Sequence, residues 1–419
     1  MTPRGAAILA LVGLAAVMAG LVVFAVPWSV AAPSRAAQLA AVADLPADQV
    51  AKGKEFHSAL RPSGYAGLLL GLAVALALGL TPLGARLIEL AGRPLGGHWL
   101  AQALLGGLAV VLIGQLVALP FAAWRHVVLR RYDLSTQDWS GWAVDVAKSL
   151  LVTGVLAVVV LAGFYTLTRL APRWWWAFAA AGAAGLVLLL SLVFPLLVEP
   201  IFNKFTPMPE SPLRAELMNL AARDGVPVRD VLVADASRRT RTVNAYVSGY
   251  GPTRRIVVYD TLLEAGSDTE VAQVVAHELG HAKDRDVVIG TVLGSAGAAA
   301  AVCALYLLGG WGWLLRRAGL PGEPSDLADP RALALLLAVV SLAGLLTTPA
   351  QSLVSRQIEM RADRHALELT GDPAGFEAMQ RRLALRNLSD PDPPRLEHWW
   401  FGSHPTTGQR IAAARAHGE

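Results

Sequence analysis

Seven runs of about 20 apolar residues interrupt this 419-residue chain, and few folds can accommodate them. They lie near residues 5–27, 64–85, 99–121, 149–170, 175–197, 287–309 and 331–350. A helix of that length crosses a bilayer with its backbone groups bonded internally, which an open sheet cannot do. Composition agrees: 16% of the residues are charged, against about 25% in soluble domains. A single large soluble core is thereby set aside. The chain reads as predominantly α, a polytopic membrane protein with about seven transmembrane helices and one sizeable polar insert.

The flanks of these runs support the reading. Trp174, Trp175 and Trp176 beside Arg173 have the makeup of an interfacial belt, as do Trp311 and Trp313 before Arg316 and Arg317. Asp329 followed by Pro330 suits the cap and first helical position of the last span. Arg4 precedes the first run and Ala31-Ala32 follows it, as in a signal peptide. Its apolar stretch exceeds the roughly 7–15 residues of such a segment, so it is read as a retained helix. Cys303, the only cysteine, falls in the sixth span, so no intrachain disulfide is expected. The net charge of +4 is assigned to cations flanking the membrane. A lipid bilayer is therefore an expected partner and nucleic acid is not. Basic residues are nearly balanced between the two sets of loops, so charge bias does not orient the bundle.

Within this frame the pentapeptide His277-Glu278-Leu279-Gly280-His281 carries the chemistry. On a helix the two histidines are four residues apart and share one face, where both imidazoles can hold one ion, with Glu278 turned toward its open side. Two histidines and one carboxylate bind Zn²⁺ and leave a fourth position to water, whose pKa falls to about 7. Glu278 would take the proton and pass it to the leaving amine. Ser267-Asp268-Thr269-Glu270 looks like a capping box, and Val271, Val274 and Val275 supply an apolar face just before His277. The motif thus sits where a helix should be.

A three-histidine site would want Gly at 284 and His at 287, where the chain has Asp284 and Val287. A glutamate from a second helix is the remaining common solution. Glu359 and Asp363, one turn apart, put two carboxylates on one helix face, so that one can ligate and the other support. The competing view of this pair is an exposed helix in which Arg356, Arg361 and Arg364 are the partners. The presence of His277 and His281 weighs against it.

Three segments in order, His277 to His281, Ser355-Arg356-Gln357-Ile358-Glu359-Met360-Arg361-Ala362-Asp363 and His404-Pro405-Thr406-Thr407-Gly408-Gln409-Arg410, resemble the signatures of the M48 family of membrane zinc peptidases. Glu199-Pro200-Ile201-Phe202-Asn203-Lys204-Phe205-Thr206-Pro207 and Asn244-Ala245-Tyr246 are similar to its CAAX prenyl protease 1, or Ste24-like, branch. The resemblance implies a gluzincin-type peptidase domain with one Zn²⁺ per chain and Glu359 as third ligand. It also implies Glu278 as catalytic base and Asp363 as an active-site acid or orienting residue. By the same resemblance His404 and Arg410 lie near the zinc and contact the tetrahedral intermediate or the peptide, and the zinc faces the cytoplasm. Met360 stands where an aromatic residue is frequent.

Two expected spans separate His281 from Glu359, an even number that returns the chain to one side of the bilayer. The His277 helix should run almost directly into the sixth span and the Glu359 helix should continue from the seventh, placing the zinc near the membrane. In the insert, Ser211-Pro212 begins a helix reaching about Arg223, and Val231 to Ala234 reads as a strand. Thr242 to Ser248 and Arg255 to Tyr259 read as a hairpin around Gly249-Tyr250-Gly251-Pro252. Asn244, Ala245 and Tyr246 are candidates for an edge that pairs extended substrate, the other reading being an ordinary structural hairpin. A further helix is expected around Phe376 to Leu388. The chain divides into an N-terminal membrane region (1–198), the insert with the motif helix (199–286), spans six and seven (287–350) and a C-terminal ligand helix and tail (351–419).

The expected activity is zinc-dependent cleavage of hydrophobic or membrane-tethered peptides, lipidated ones among the candidates. One alternative is an HtpX-like quality-control protease, whose branch has fewer spans and a shorter chain. Another is a non-catalytic membrane protein with a structural zinc. That would close all four positions with protein ligands, and no cysteine or extra histidine near the motif is available to do so.

Overall fold

In the computed structural model, which describes residues 1–418, helix dominates. Among the described residues seven helices are long and apolar enough to cross a membrane: Pro3–Ala25, Ala47–Gly79, Trp99–Arg131, Trp139–Leu170, Trp175–Phe202, Asp286–Leu308 and Pro330–Thr370. Each overlaps one of the expected apolar runs, in the same order, although the run expected over 64–85 is broken after Gly79, where Thr81 caps a new helix beginning at Pro82. The second and seventh extend well beyond theirs, because polar residues continue the helix outside the apolar part. The second begins at Ala47, behind Pro46, and the seventh runs through Pro349 to Gly371, whose positive φ ends it. As expected, Asp329 caps the turn that leads into the seventh span.

Close packing joins the spans. Gly79 of the second lies so near the seventh that a Cβ there would meet Ala338 Cβ at 2.4 Å, so only glycine permits this approach. Ala6 and Ala7 of the first span share a buried cluster with Trp175, Trp176, Ala299 and Cys303. The cysteine is thus a packing residue, buried and free.

The polar insert forms a four-stranded sheet with β1 Phe205–Pro207, β2 Asp230–Ala234, β3 Ala245–Ser248 and β4 Arg255–Tyr259. The order is β1-β2-β4-β3. β1 runs antiparallel to β2, β2 parallel to β4, and β3 antiparallel to β4. The expected hairpin is present, although its first strand starts at Ala245 rather than Thr242. Before it, the Thr240 hydroxyl accepts from the Thr242 amide and holds the chain in a turn. β1 was not foreseen, since three residues ending in proline show no period-2 pattern. The helix at Pro212–Arg223 is capped by Ser211, as its sequence required.

The motif helix, Asp268–Lys283, runs through the centre of this domain. Its capping box is formed, with Ser267 and Glu270 bonding reciprocally. Val271, Val274, Val275 and Leu279 pack against Val231, Ile256 and Val258 of the sheet, Leu217 and Leu220 of the Pro212–Arg223 helix, and Phe376 and Met379 of the Pro373–Arg386 helix. Burial on several sides leaves the helix little freedom to shift, which suits an element carrying two ligand candidates. Two residues after it, Arg285 takes a left-handed conformation with φ 59°, and the sixth span begins at Asp286.

Candidate active site

His277, His281 and Glu359 converge, with one donor atom from each lying within 4.8 Å of the others. The Nε2 atoms of the histidines are 3.2 Å apart. Glu359 Oε2 is 3.3 Å from His277 Nε2, and its Oε1 is 3.5 Å from His281 Nε2. The motif helix supplies the histidines and the extended seventh span supplies the glutamate, as expected from the even number of intervening spans.

The outer face of each imidazole shows what the inner face is for. His277 Nδ1 lies 2.9 Å from Asp363 Oδ1, and His281 Nδ1 lies 2.9 Å from Asp286 Oδ2. A carboxylate at Nδ1 holds the proton there, so each Nε2 presents a lone pair to the centre. Glu359 Oε2, also directed inward, is buried without a hydrogen-bond partner. Two nitrogen lone pairs and an unpartnered carboxylate oxygen at these distances repel one another unless a cation lies between them. The residues present therefore fit a divalent metal, and the nitrogen and oxygen donor set suits zinc.

Asp363 is itself held. Arg410, from the C-terminal helix Thr407–Gly418, places Nε 2.9 Å from Asp363 Oδ2 and grips the carboxylate with two nitrogens. Burial opposes charge on this guanidinium, yet the Asp363 carboxylate keeps its pKa above the ordinary arginine value. Arg410 thus reaches the centre through Asp363 and lies 3.3 Å from His277 Nδ1. Glu278 stands between the two histidines in sequence, and burial pushes its carboxyl above the ordinary glutamate range. That is the direction a general base working near neutrality needs.

His404 Nε2 lies 3.5 Å from Glu359 Oε1, while its side chain stays 61% exposed. It borders the centre from the open side. Its turn is pinned to the Glu359 helix by residues the sequence reading did not single out as functional. Arg356 Nη1 donates to the carbonyls of His398 and Gly402, and Ser352 Oγ donates to that of Trp400 at 3.0 Å. All three carbonyls lie at the end of the short helix Arg395–Phe401, where the His398 carbonyl also accepts from the Gly402 amide that closes the helix. Ser352, Arg356, Glu359 and Asp363 follow one another at helical spacing along a single face, and that stripe was legible. Asp286 was not, because five residues beyond His281 a continuous helix would carry it away from the imidazole. The left-handed Arg285 brings it back.

β3 occupies the sheet edge expected for Asn244 to Tyr246. Asn244 is exposed immediately before it, with its carbonyl accepting from the Tyr259 amide, and Ala245 is buried. The Tyr246 hydroxyl approaches Glu199 Oε2 at 3.4 Å.

Fold and site together define a polytopic membrane metallopeptidase. Residues 207–417 match the profile of Peptidase family M48, and residues 45–204 match that of the CAAX prenyl protease N-terminal region, described as five membrane helices. The chain belongs to peptidase family M48, as a membrane metalloprotease of the CAAX prenyl protease 1 type. It is 31% identical to the uncharacterized metalloprotease YhfN of Bacillus subtilis over 72% of this chain and 71% of that one. It is 29% identical to a CAAX prenyl protease 1 homolog of Oryza sativa, over 73% and 71%. The crystal structure of S. mikatae Ste24p superposes with a TM-score of 0.68 at 24% identity, covering 79% of this chain and 80% of that one.

Proposed function

We propose that this chain is an endopeptidase in which His277, His281 and Glu359 hold one zinc ion per chain and Glu278 is the catalytic base. The observation that carries the reading is the pair of inward-facing Nε2 atoms, each backed at Nδ1 by a carboxylate. When bound there, zinc polarises a scissile carbonyl and acidifies water. Glu278, with its raised pKa, accepts the proton of the attacking water and returns it to the departing amine. His404, exposed beside Glu359, is suited to donate to the oxyanion as the carbonyl becomes tetrahedral. Asp363 and Arg410 hold His277 in its ligating orientation. The free edge of β3, with Asn244, Ala245 and Tyr246, is suited to pair an extended peptide through main-chain hydrogen bonds.

Substrates are proposed to be hydrophobic or membrane-tethered peptides, prenylated ones included, because two spans lead directly into the site. The zinc side is proposed to be cytoplasmic. The four-part division at 198, 286 and 350 is proposed to separate the membrane regions from the catalytic insert and the ligand-bearing tail.

The test is cleavage of a farnesylated CAAX peptide and of an unprenylated hydrophobic peptide by the full chain and by Glu278→Gln, with zinc content measured in both. Wild-type cleavage that is lost in the variant while zinc remains supports the assignment, and the preferred peptide identifies the substrate class. Zinc-loaded wild type that cleaves neither would refute the peptidase assignment for these substrates and favour a structural metal.

A further inference from the structure

Arg361 lies two residues beyond Glu359 and takes no part in the scheme above. Its side chain meets three elements at once. Nη2 pairs with Asp286 Oδ1, the carboxylate whose other oxygen faces His281 Nδ1. Nε lies 2.7 Å from Asp284 Oδ2, in the break between the motif helix and the sixth span. Nη1 donates to the carbonyl of Ala25 at 3.3 Å, and Ala25 is the last residue of the first span, where helical carbonyls lack intrahelical donors.

A second observation comes from the segment that follows this span. Val30, Ala31 and Pro33 wall a cavity of about 250 Å³ whose opposite wall includes Met360, Asp363 and Arg410. The end of the first span thus bonds to the seventh through Arg361, and the chain leaving it shares a cavity with the ligand-bearing stretch of the seventh. The two histidines are also treated alike, since each has a carboxylate at Nδ1 and an arginine behind it: Asp363 with Arg410, and Asp286 with Arg361.

We infer that Arg361 is a positioning residue that couples the seat of the first span to the metal centre. It fixes Asp286, Asp286 fixes the His281 ring, and the Ala25 carbonyl completes the coordination of the guanidinium. A lysine cannot substitute fully, because a single ammonium does not present the planar fork whose two Nη atoms bond Asp286 and the Ala25 carbonyl at once while Nε faces the Asp284 charge. The inference rests on the proposed zinc site. Coupling is reciprocal: zinc binding should steady the end of the first span as much as that end steadies the zinc.

The experiment uses the full chain in lipid nanodiscs and measures zinc affinity by chelator competition for wild type, Asp286→Asn, Arg361→Gln, Arg361→Lys and the Asp286→Asn/Arg361→Gln double variant. Thermal midpoints are measured alongside. Loss of the carboxylate at Nδ1 should weaken zinc binding about 10–100-fold. Arg361→Gln should weaken it less but in the same direction, Arg361→Lys should lie between it and wild type, and the double variant should match Asp286→Asn alone. Hydrogen exchange at residues 25–30 should slow on zinc addition in wild type and not in Arg361→Gln. Zinc affinity within twofold of wild type in Arg361→Gln, additive losses in the double variant, or zinc-independent exchange at residues 25–30 in wild type would each overturn the coupling. Wild type that binds no more zinc than a His277→Ala control would instead overturn the metal site itself.

Discussion

His277 Nδ1 and Asp363 Oδ1 are 2.9 Å apart, and the carboxylate that orients this ligand is in turn the buried partner of Arg410. One side chain therefore serves both metal geometry and folding. Asp363→Asn should weaken zinc binding about 10–100-fold. It also leaves a buried guanidinium without its anion, so unfolding should become easier by about 3–5 kcal/mol. Chelator competition and denaturant unfolding of the metal-free protein separate the two effects, and loss of only one would assign Asp363 a single role.

Arg356 anchors the turn that carries His404, yet its bonds go to the His398 and Gly402 carbonyls and not to His277, His281 or Glu359. Arg356→Ala should lower kcat by roughly tenfold, the order expected when a transition-state donor is displaced rather than deleted, while zinc affinity stays within twofold. His404→Ala should cost about 10²–10³ in kcat, the usual range for one oxyanion donor. A kcat that does not change in Arg356→Ala would free the turn from this anchor.

Gly280, between Glu278 and His281, has a packing reason. A Cβ at this position would sit 3.0 Å from His365 Cδ2 and 3.1 Å from its Cβ, on the same helix as Glu359. His365 has little room to yield, because its Nε2 lies 3.1 Å from Asp224. Gly280→Ala should therefore push the two ligand helices apart and reduce zinc affinity. Intrinsic helix propensity opposes this outcome, favouring alanine by about 1 kcal/mol. A tighter or unchanged zinc site in the variant would show that propensity outweighs the contact.

Glu377 joins the Pro373–Arg386 helix to the C-terminal helix that carries Arg410. Its bonds to Arg415 and then to Arg381 hold its carboxyl down at about 2, against an ordinary 4.5. A depressed folded-state pKa stabilises the fold above the unfolded value and loses that contribution as pH falls toward 2. The difference in thermal midpoint between wild type and Glu377→Gln should be present at pH 7 and shrink steadily below about pH 4.5. A difference that persists at pH 3 would trace it to packing instead of charge.

Glu359 as the third ligand was implied by the family resemblance, whereas the sequence by itself determined the spans, the motif helix and its cap, and the shared helix face of His277 and His281. Each depends on a repeat or spacing that local physics enforces: about 20 apolar residues for a bilayer, four residues for one helix face, Ser267 and Glu270 for a helix start. The stripe Ser352, Arg356, Glu359, Asp363 belongs to the same class, although its first two members gain meaning only when the His404 turn is seen against them. Tertiary structure alone decided the rest. Asp286 reaches His281 because the chain breaks at Arg285, a conformation that no spacing rule anticipates for arginine. Arg410 is directed at Asp363, and Arg361 meets Ala25 from 336 residues away, through contacts set by how distant helices pack. Local sequence specifies which face a side chain leaves from. What that face meets is decided by the assembled bundle, since burial and charge pairing are satisfied only when the distant partner arrives.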